Sequence, residues 1–248
     1  MPTATSNGHK IAFTVTGDGP PLLLHPGMFQ VGRHWTDAGY TEALATDHTV
    51  VTIDPLGLGD SGAPTDPAAY SLPRRAEYVT AVLDEIGADR AVFWGYSLGA
   101  LTGYAVAIHA PERLTALVAG AFDPITGFRS AVEPMLEHLG LPADTDPYPF
   151  MEEGSLHDPS LAAVIRAADP EALRANFTAF SQEPPVGERL AASGVRALLY
   201  AGTNDVWHDP MRAYASETGT PFVSLPGADH ITAWSDAASA LAEVRPFL

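Results

Sequence analysis

Three spacings of apolar residues divide this chain. Between Lys10 and Thr16, Ile11, Phe13 and Val15 alternate with polar neighbours, and the run stops at Gly17-Asp18-Gly19-Pro20. That is the period of a half-buried strand closed by a turn. Pro21-Leu22-Leu23-Leu24, Thr49-Val50-Val51-Thr52-Ile53, Ala91-Val92-Phe93-Trp94 and Leu114 to Gly120 are instead short, largely continuous apolar runs; Arg196 to Gly202 is strand-like and Pro221 to Leu225 reads as a last strand. Runs of this length suit strands covered on both faces. Between them the period lengthens. Leu72, Ala76, Val79, Val82, Leu83 and Ile86 fall at helical spacing, with Ser71 as N-cap, Pro73 in the first turn and Gly87 as stop. Ala100 to Ala107 and His208 to Thr218 are helix-compatible, and Ile231 to Phe247 reads as one terminal amphipathic helix. Strands alternating with helices predict a mostly parallel sheet with helices on both faces.

The alternation stops at Phe122 and resumes near Leu190. Within that stretch Asp158-Pro159 and Asp169-Pro170 each pair an N-cap with proline at the first helical position. Leu161, Val164, Ile165 and Ala168 form one apolar stripe, and Leu173, Phe177 and Phe180 another. Residues 1–122 and 191–248 are therefore expected to form the α/β core, with 123–190 inserted as a helical cap over the carboxyl edge of the sheet.

Composition narrows the partners. The 248 residues carry a formal net charge of −17, which argues against nucleic acid or an anionic membrane. No apolar run reaches membrane-spanning length, and Met1 to Lys10 lacks a charged and then apolar leader pattern, so a cytoplasmic setting is expected. The absence of cysteine removes disulfides, thiolate metal sites and a thiol nucleophile. No paired-histidine metal spacing occurs, and the glycine-rich loop Asp54 to Gly62 lacks both phosphate-binding glycine patterns. Chemistry without cofactor or metal, on a small-molecule substrate, is the expectation.

The chemistry centres on Gly95-Tyr96-Ser97-Leu98-Gly99, a G-x-S-x-G between a strand-like and a helix-like run. In that context the pattern makes a sharp turn that lifts a serine above the sheet. A serine hydroxyl needs a base oriented by a carboxylate, and on such a sheet these follow the serine at the ends of later strands, acid first. Asp205 and His230 occupy those places. Asp123 is the rival acid and His208 the rival base, whereas His109, Asp209 and Asp229 read as helix-end, capping or turn residues. An acyl-transfer site also needs oxyanion donors. Leu98 supplies one N–H, and the loop His25-Pro26-Gly27-Met28 the other, with Gly27 favoured over Met28; Pro26 has no N–H and cannot be a donor.

These pieces resemble the α/β-hydrolase superfamily, and within it the small capped esterase, lactonase and cofactor-free haloperoxidase-like branch. The likeness rests on His25-Pro26-Gly27, Asp54 to Ser61, Gly95 to Gly99, Gly202-Thr203-Asn204-Asp205 and Gly227-Ala228-Asp229-His230. Pro26 and Leu56 stand where the family usually has glycine and arginine, and serine at the nucleophile position separates the chain from aspartate-dependent relatives. The resemblance implies a serine hydrolase for a small to medium, mostly apolar carboxylic ester or lactone. Met28, Tyr96, Trp207, Phe177 and Phe180 are the expected substrate-binding residues, with Met135, Phe150, Met151 and Trp234 as further candidates for the walls. The same triad would also serve a C–C bond hydrolase, a thioesterase or a cyclising acyl transferase, and a small-molecule receptor with a retained triad is the reading from another class.

Overall fold

The computed structural model describes residues 1–248 apart from Ser130. Eight strands, β1 (Thr3–Ser6), β2 (His9–Thr16), β3 (Pro21–His25), β4 (Thr49–Ile53), β5 (Ala91–Tyr96), β6 (Leu114–Gly120), β7 (Ala197–Gly202) and β8 (Phe222–Leu225), form one sheet. Their order is β1-β2-β4-β3-β5-β6-β7-β8. β1 runs antiparallel to β2, and β2 antiparallel to β4; every other pairing is parallel. The continuous apolar runs account for this. Side chains of β3, β4, β5 and β6 point to both faces, and each face has its own buried apolar cluster.

The topology places the site. β3 and β5 are neighbours, with His25 opposite Gly95, and the strands continue outward from them in opposite directions. Ligands of open α/β sheets bind at such a reversal, beyond the carboxyl ends of the strands. Here the loop after β3 and the turn after β5 meet.

The helices follow from the sequence with instructive exceptions. Arg33–Asp37 (α1) and Tyr40–Leu44 (α2) are single-turn helices between β3 and β4, too short to leave a periodic signal. In α3 (Leu72–Glu85), Ser71 takes the N-cap position without capping; its Oγ donates to Ala68 O at 3.0 Å. α4 (Leu98–His109) is buried along most of its length and is apolar all round, as befits a helix covered on every side.

Among the described residues five helices lie between β6 and β7: α5 (Gly127–His138), α6 (Tyr148–Ser155), α7 (Pro159–Ala167), α8 (Pro170–Gln182) and α9 (Gly187–Ala192). Asp158 caps α7 by accepting from Ser160 N at 2.7 Å, and Asp169 caps α8 by accepting from Glu171 N at 2.8 Å. The two ends of this insertion are tied together at Pro124 O, which accepts from Val186 N at 2.8 Å and Gly187 N at 2.9 Å. A buried link joins it to the core: Arg75 Nη2 on α3 donates to Asn176 Oδ1 on α8 at 2.7 Å.

After β7 come α10 (His208–Thr218), then β8, α11 (Thr232–Ser235) and α12 (Ala237–Val244). The last two correct the expectation of one terminal helix. Asp236 leaves helical geometry (ψ 74°) and its side chain accepts from Ser239 N at 3.2 Å, starting a second helix. Among the described residues no helix is long and apolar enough to cross a membrane.

Candidate active site

Ser97 sits at the tip of the turn between β5 and α4 with φ 55° and ψ −118°, a backbone conformation that side chains other than glycine rarely adopt. Close approach explains the glycines on either side. A Cβ on Gly95 would overlap Gly99 O, and one on Gly99 would overlap His25 O, so both positions must be bare for the turn to seat against the β3 loop. Ser97 N donates to Gly120 O at 2.8 Å, which pins the turn to the neighbouring strand.

Asp205 lies just beyond β7 and His230 just beyond β8. His230 Nδ1 donates to Asp205 Oδ2 at 2.8 Å, and the Asp205 side chain has no exposed surface. Asp205 Oδ1 accepts from Trp207 N at 3.1 Å. Both carboxylate oxygens are therefore committed, one to the imidazole and one to the backbone. The His230 loop is itself held by phenols: Tyr96 Oη donates to His230 O at 2.7 Å, and Tyr40 Oη to Trp234 O at 2.8 Å. Burial raises the pKa of both phenols, so they remain donors.

Ser97 and His230 line one cavity of about 260 Å³. The loop after β3 contributes Gly27, Met28, Phe29 and Gln30, α6 contributes Met151, and Leu161, Ile231 and Trp234 complete its apolar wall. The Leu98 N–H, at the start of α4, has no acceptor among the described residues, and neither has that of Met28. The N–H of Gly27 is different: it donates to Gln30 Oε1 at 3.0 Å. This corrects the preference for Gly27 as an oxyanion donor, because its hydrogen already has an acceptor.

The profile of the α/β-hydrolase fold family matches residues 20–137. Across the whole chain, the enol-lactonase of Burkholderia xenovorans superposes with a TM-score of 0.79 over 99% of both chains at 22% identity. The chain has the α/β-hydrolase fold. Curated relatives of this chain include the pimeloyl-[acyl-carrier protein] methyl ester esterase of Aeromonas hydrophila, 37% identical over 108 residues, or 44% of this chain and 40% of that one. A protein of Pseudomonas savastanoi pv. phaseolicola, provisionally named carbamate hydrolase RutD, is 36% identical over 110 residues, 44% of this chain and 41% of that one. The matches thus span less than half the length of these relatives.

Other residues nominated by the sequence fall into place around this centre. Met28 and Tyr96 line the cavity, as do Met151 and Trp234. Trp207, Phe177 and Phe180 do not, and this is a second correction. Trp207 packs its ring against His230 at 5.1 Å and against Phe122 at 5.4 Å. Phe180 joins Phe122 to Phe128, and Phe177 packs between Phe128 and Tyr148. The stripe on α8 is thus buried against the insertion's own aromatics and the core, away from the cavity surface. Phe150, likewise nominated, does not line the cavity and is partly exposed.

The rivals for the triad have other partners. Asp123 accepts from Ile125 N at 3.1 Å and Thr126 N at 2.7 Å at the start of the insertion. His208 contacts Asp209 Oδ1 and Ser224 Oγ, each at 2.9 Å. Asp229 accepts from Ile231 N, Thr232 N and Thr232 Oγ1, capping the turn after His230. Among the described residues no group of three or more His, Asp or Glu side chains is arranged to hold a metal ion.

His25 braces the loop that carries Met28. It is fully buried, its Nδ1 lies 3.0 Å from Pro26 O, and Tyr78 Oη lies 2.7 Å from its Nε2. Burial, reinforced by the nearby Arg75 cation, pushes its pKa down to about 3. The ring is neutral in the folded protein, donating from Nδ1 and accepting at Nε2. An unfolded chain would protonate it near pH 6.5, so unfolding takes up a proton below that pH. His25 should therefore stabilise fully above pH 6.5 and lose that contribution on acidification towards pH 3. The slope is about 1.4 kcal/mol per pH unit. Urea unfolding at pH 6.5 and pH 5 should show the loss, and His25→Gln should flatten it. An unchanged slope in the variant would assign the acid sensitivity elsewhere.

Proposed function

We propose that this protein is a serine hydrolase that cleaves small to medium, mostly apolar carboxylic esters or lactones through an acyl-enzyme. The observation that carries this reading is the 2.8 Å bond from His230 to a buried Asp205, with His230 and Ser97 facing one largely apolar cavity. The Asp205 carboxylate keeps the proton of neutral His230 on Nδ1, which leaves Nε2 as the base. Ser97 Oγ attacks the acyl carbon as Nε2 takes its proton. The N–H groups of Leu98 and Met28 receive the oxyanion. The imidazolium then protonates the leaving alkoxide, and water repeats the sequence on the acyl-enzyme.

The cavity supports the substrate class. Its volume of about 260 Å³ lies near the lower end of small-molecule sites. Met28, Phe29, Met151, Leu161, Ile231 and Trp234 give it a mostly apolar wall, while the one carboxylate among its described lining residues, Asp158, is engaged in capping α7. The helices α6 and α7 act as part of a cap: they bring Met151, Ser155, Ser160 and Leu161 over the nucleophile.

The test combines a fluorophosphonate probe with a panel of p-nitrophenyl esters and lactones of increasing acyl length. Labelling at Ser97 and turnover in the usual enzymatic range of roughly 1–1000 per second, best for short acyl chains, are expected. A wild-type protein that is neither labelled nor active across the panel would overturn the reading.

A further inference from the structure

The loop after β3 folds back on itself at Phe29, which has a φ of 60° although it is not glycine. That turn brings the Gln30 side chain over Gly27, where Oε1 accepts the Gly27 N–H at 3.0 Å. A methyl group placed on Gly27 would meet Gln30 Oε1 at 3.0 Å and Ser97 Cβ at 3.3 Å. The carboxamide and the nucleophile thus flank the same small space, and both line the cavity. With its oxygen committed to Gly27, the amide has its NH₂ end left, a group with two donors. No described residue accepts from it.

We propose that Gln30 Nε2 donates a hydrogen bond to the acyl oxygen of the substrate and, with the N–H groups of Met28 and Leu98, holds the oxyanion. The proposal rests on the serine-hydrolase reading above. It gives the Gly27 N–H a purpose other than the one its position in the loop advertises: it fixes which way round the amide sits, so that donors rather than the acceptor face the reacting carbonyl. A donor anchored in this way needs no reorientation as charge develops, which is what makes such groups effective in the transition state.

Two substitutions separate this role from simple bracing of the loop. Gln30→Glu keeps an acceptor for the Gly27 N–H but replaces the NH₂ with an oxygen. Gln30→Met keeps the length and removes both. Removal of one preorganised oxyanion donor costs about a hundredfold or more in kcat elsewhere. Both variants are therefore expected to lose about that much in kcat on the best ester, with KM nearly unchanged, and Gln30→Glu at least as much as Gln30→Met. Affinity for an alkyl boronic acid, which forms a tetrahedral adduct on serine, should fall in parallel. Circular dichroism melting curves identify any loss caused by misfolding.

If Gln30→Glu keeps wild-type activity while Gln30→Met loses it, bracing is the whole role and the proposal fails. It fails equally if both variants match the wild type in kcat and boronate affinity. Fluorophosphonate labelling of the wild type keeps the two levels apart: a labelled Ser97 with indifferent Gln30 variants overturns this proposal alone, whereas an unlabelled wild type overturns the hydrolase reading with it.

Discussion

Ser97→Ala is expected to lower ester turnover on the order of a millionfold and to leave the fold unchanged. The chemical reason is that the acyl-enzyme cannot form without Oγ. Among the described residues no hydrogen bond to Ser97 Oγ holds the turn; the turn is held by Ser97 N on Gly120 O at 2.8 Å and by the close approach of Gly99 to His25. Alanine adds no atoms and leaves the positive φ where it is. A melting temperature close to that of the wild type and retained binding of a non-hydrolysable ester analogue should accompany the loss. Ser97→Gly should be just as inactive but more stable than Ser97→Ala by about 1 kcal/mol, because only glycine relieves the strained backbone. The elbow would then be seen to store strain at the nucleophile. Retained turnover within tenfold of wild type in Ser97→Ala would instead mean that another group attacks the substrate.

Particular residues show what could be read from the chain and what could not. The β3, β4, β5 and β6 runs are legible because a strand covered on both faces has no polar positions to spare, and few other structures need a short unbroken apolar run between turn residues. The order of β7, Asp205, β8 and His230 is legible because a parallel sheet delivers successive strand ends to one edge. Phe177 and Phe180 mark the limit of a periodic stripe. Their spacing says that one face of α8 is buried, but not whether a cavity or another aromatic lies against it. Here it is Phe128, Phe122 and Tyr148.

The break at Asp236 was hidden for a related reason, since the apolar spacing continues across it while a local cap restarts the helix. Gln30 is hidden differently. Its position over Gly27 depends on a left-handed turn at Phe29, and nothing in the chemistry of an aromatic residue favours that turn. The one available signal is a lone amide among Met28, Phe29 and Val31, in a loop that otherwise offers the substrate only apolar side chains.

Asp205→Asn is expected to cost about ten-thousandfold in kcat while KM changes little, a larger effect than the loss of one hydrogen bond would produce. The geometry dictates how the new amide must sit. Trp207 N donates to Oδ1 at 3.1 Å, so the amide oxygen has to take that position, and the NH₂ group is left facing His230 Nδ1. An NH₂ donor there requires Nδ1 to accept, which moves the imidazole proton to Nε2. That atom can then no longer take the proton from Ser97. The wild-type bond of 2.8 Å from Nδ1 to Oδ2 enforces the opposite tautomer and stabilises the imidazolium when it forms. Fluorophosphonate labelling should slow by a similar factor, since it uses the same base, while the melting temperature should fall only modestly because the amide refills the buried space. Asp123→Asn provides the comparison. Asp123 is fully buried at the start of the insertion, where its carboxylate accepts two backbone N–H groups. Its substitution is expected to affect stability more than kcat. If Asp123→Asn shows the greater loss of kcat instead, the acid partner of His230 in the working enzyme is Asp123, and the arrangement around Asp205 serves only to hold the loop.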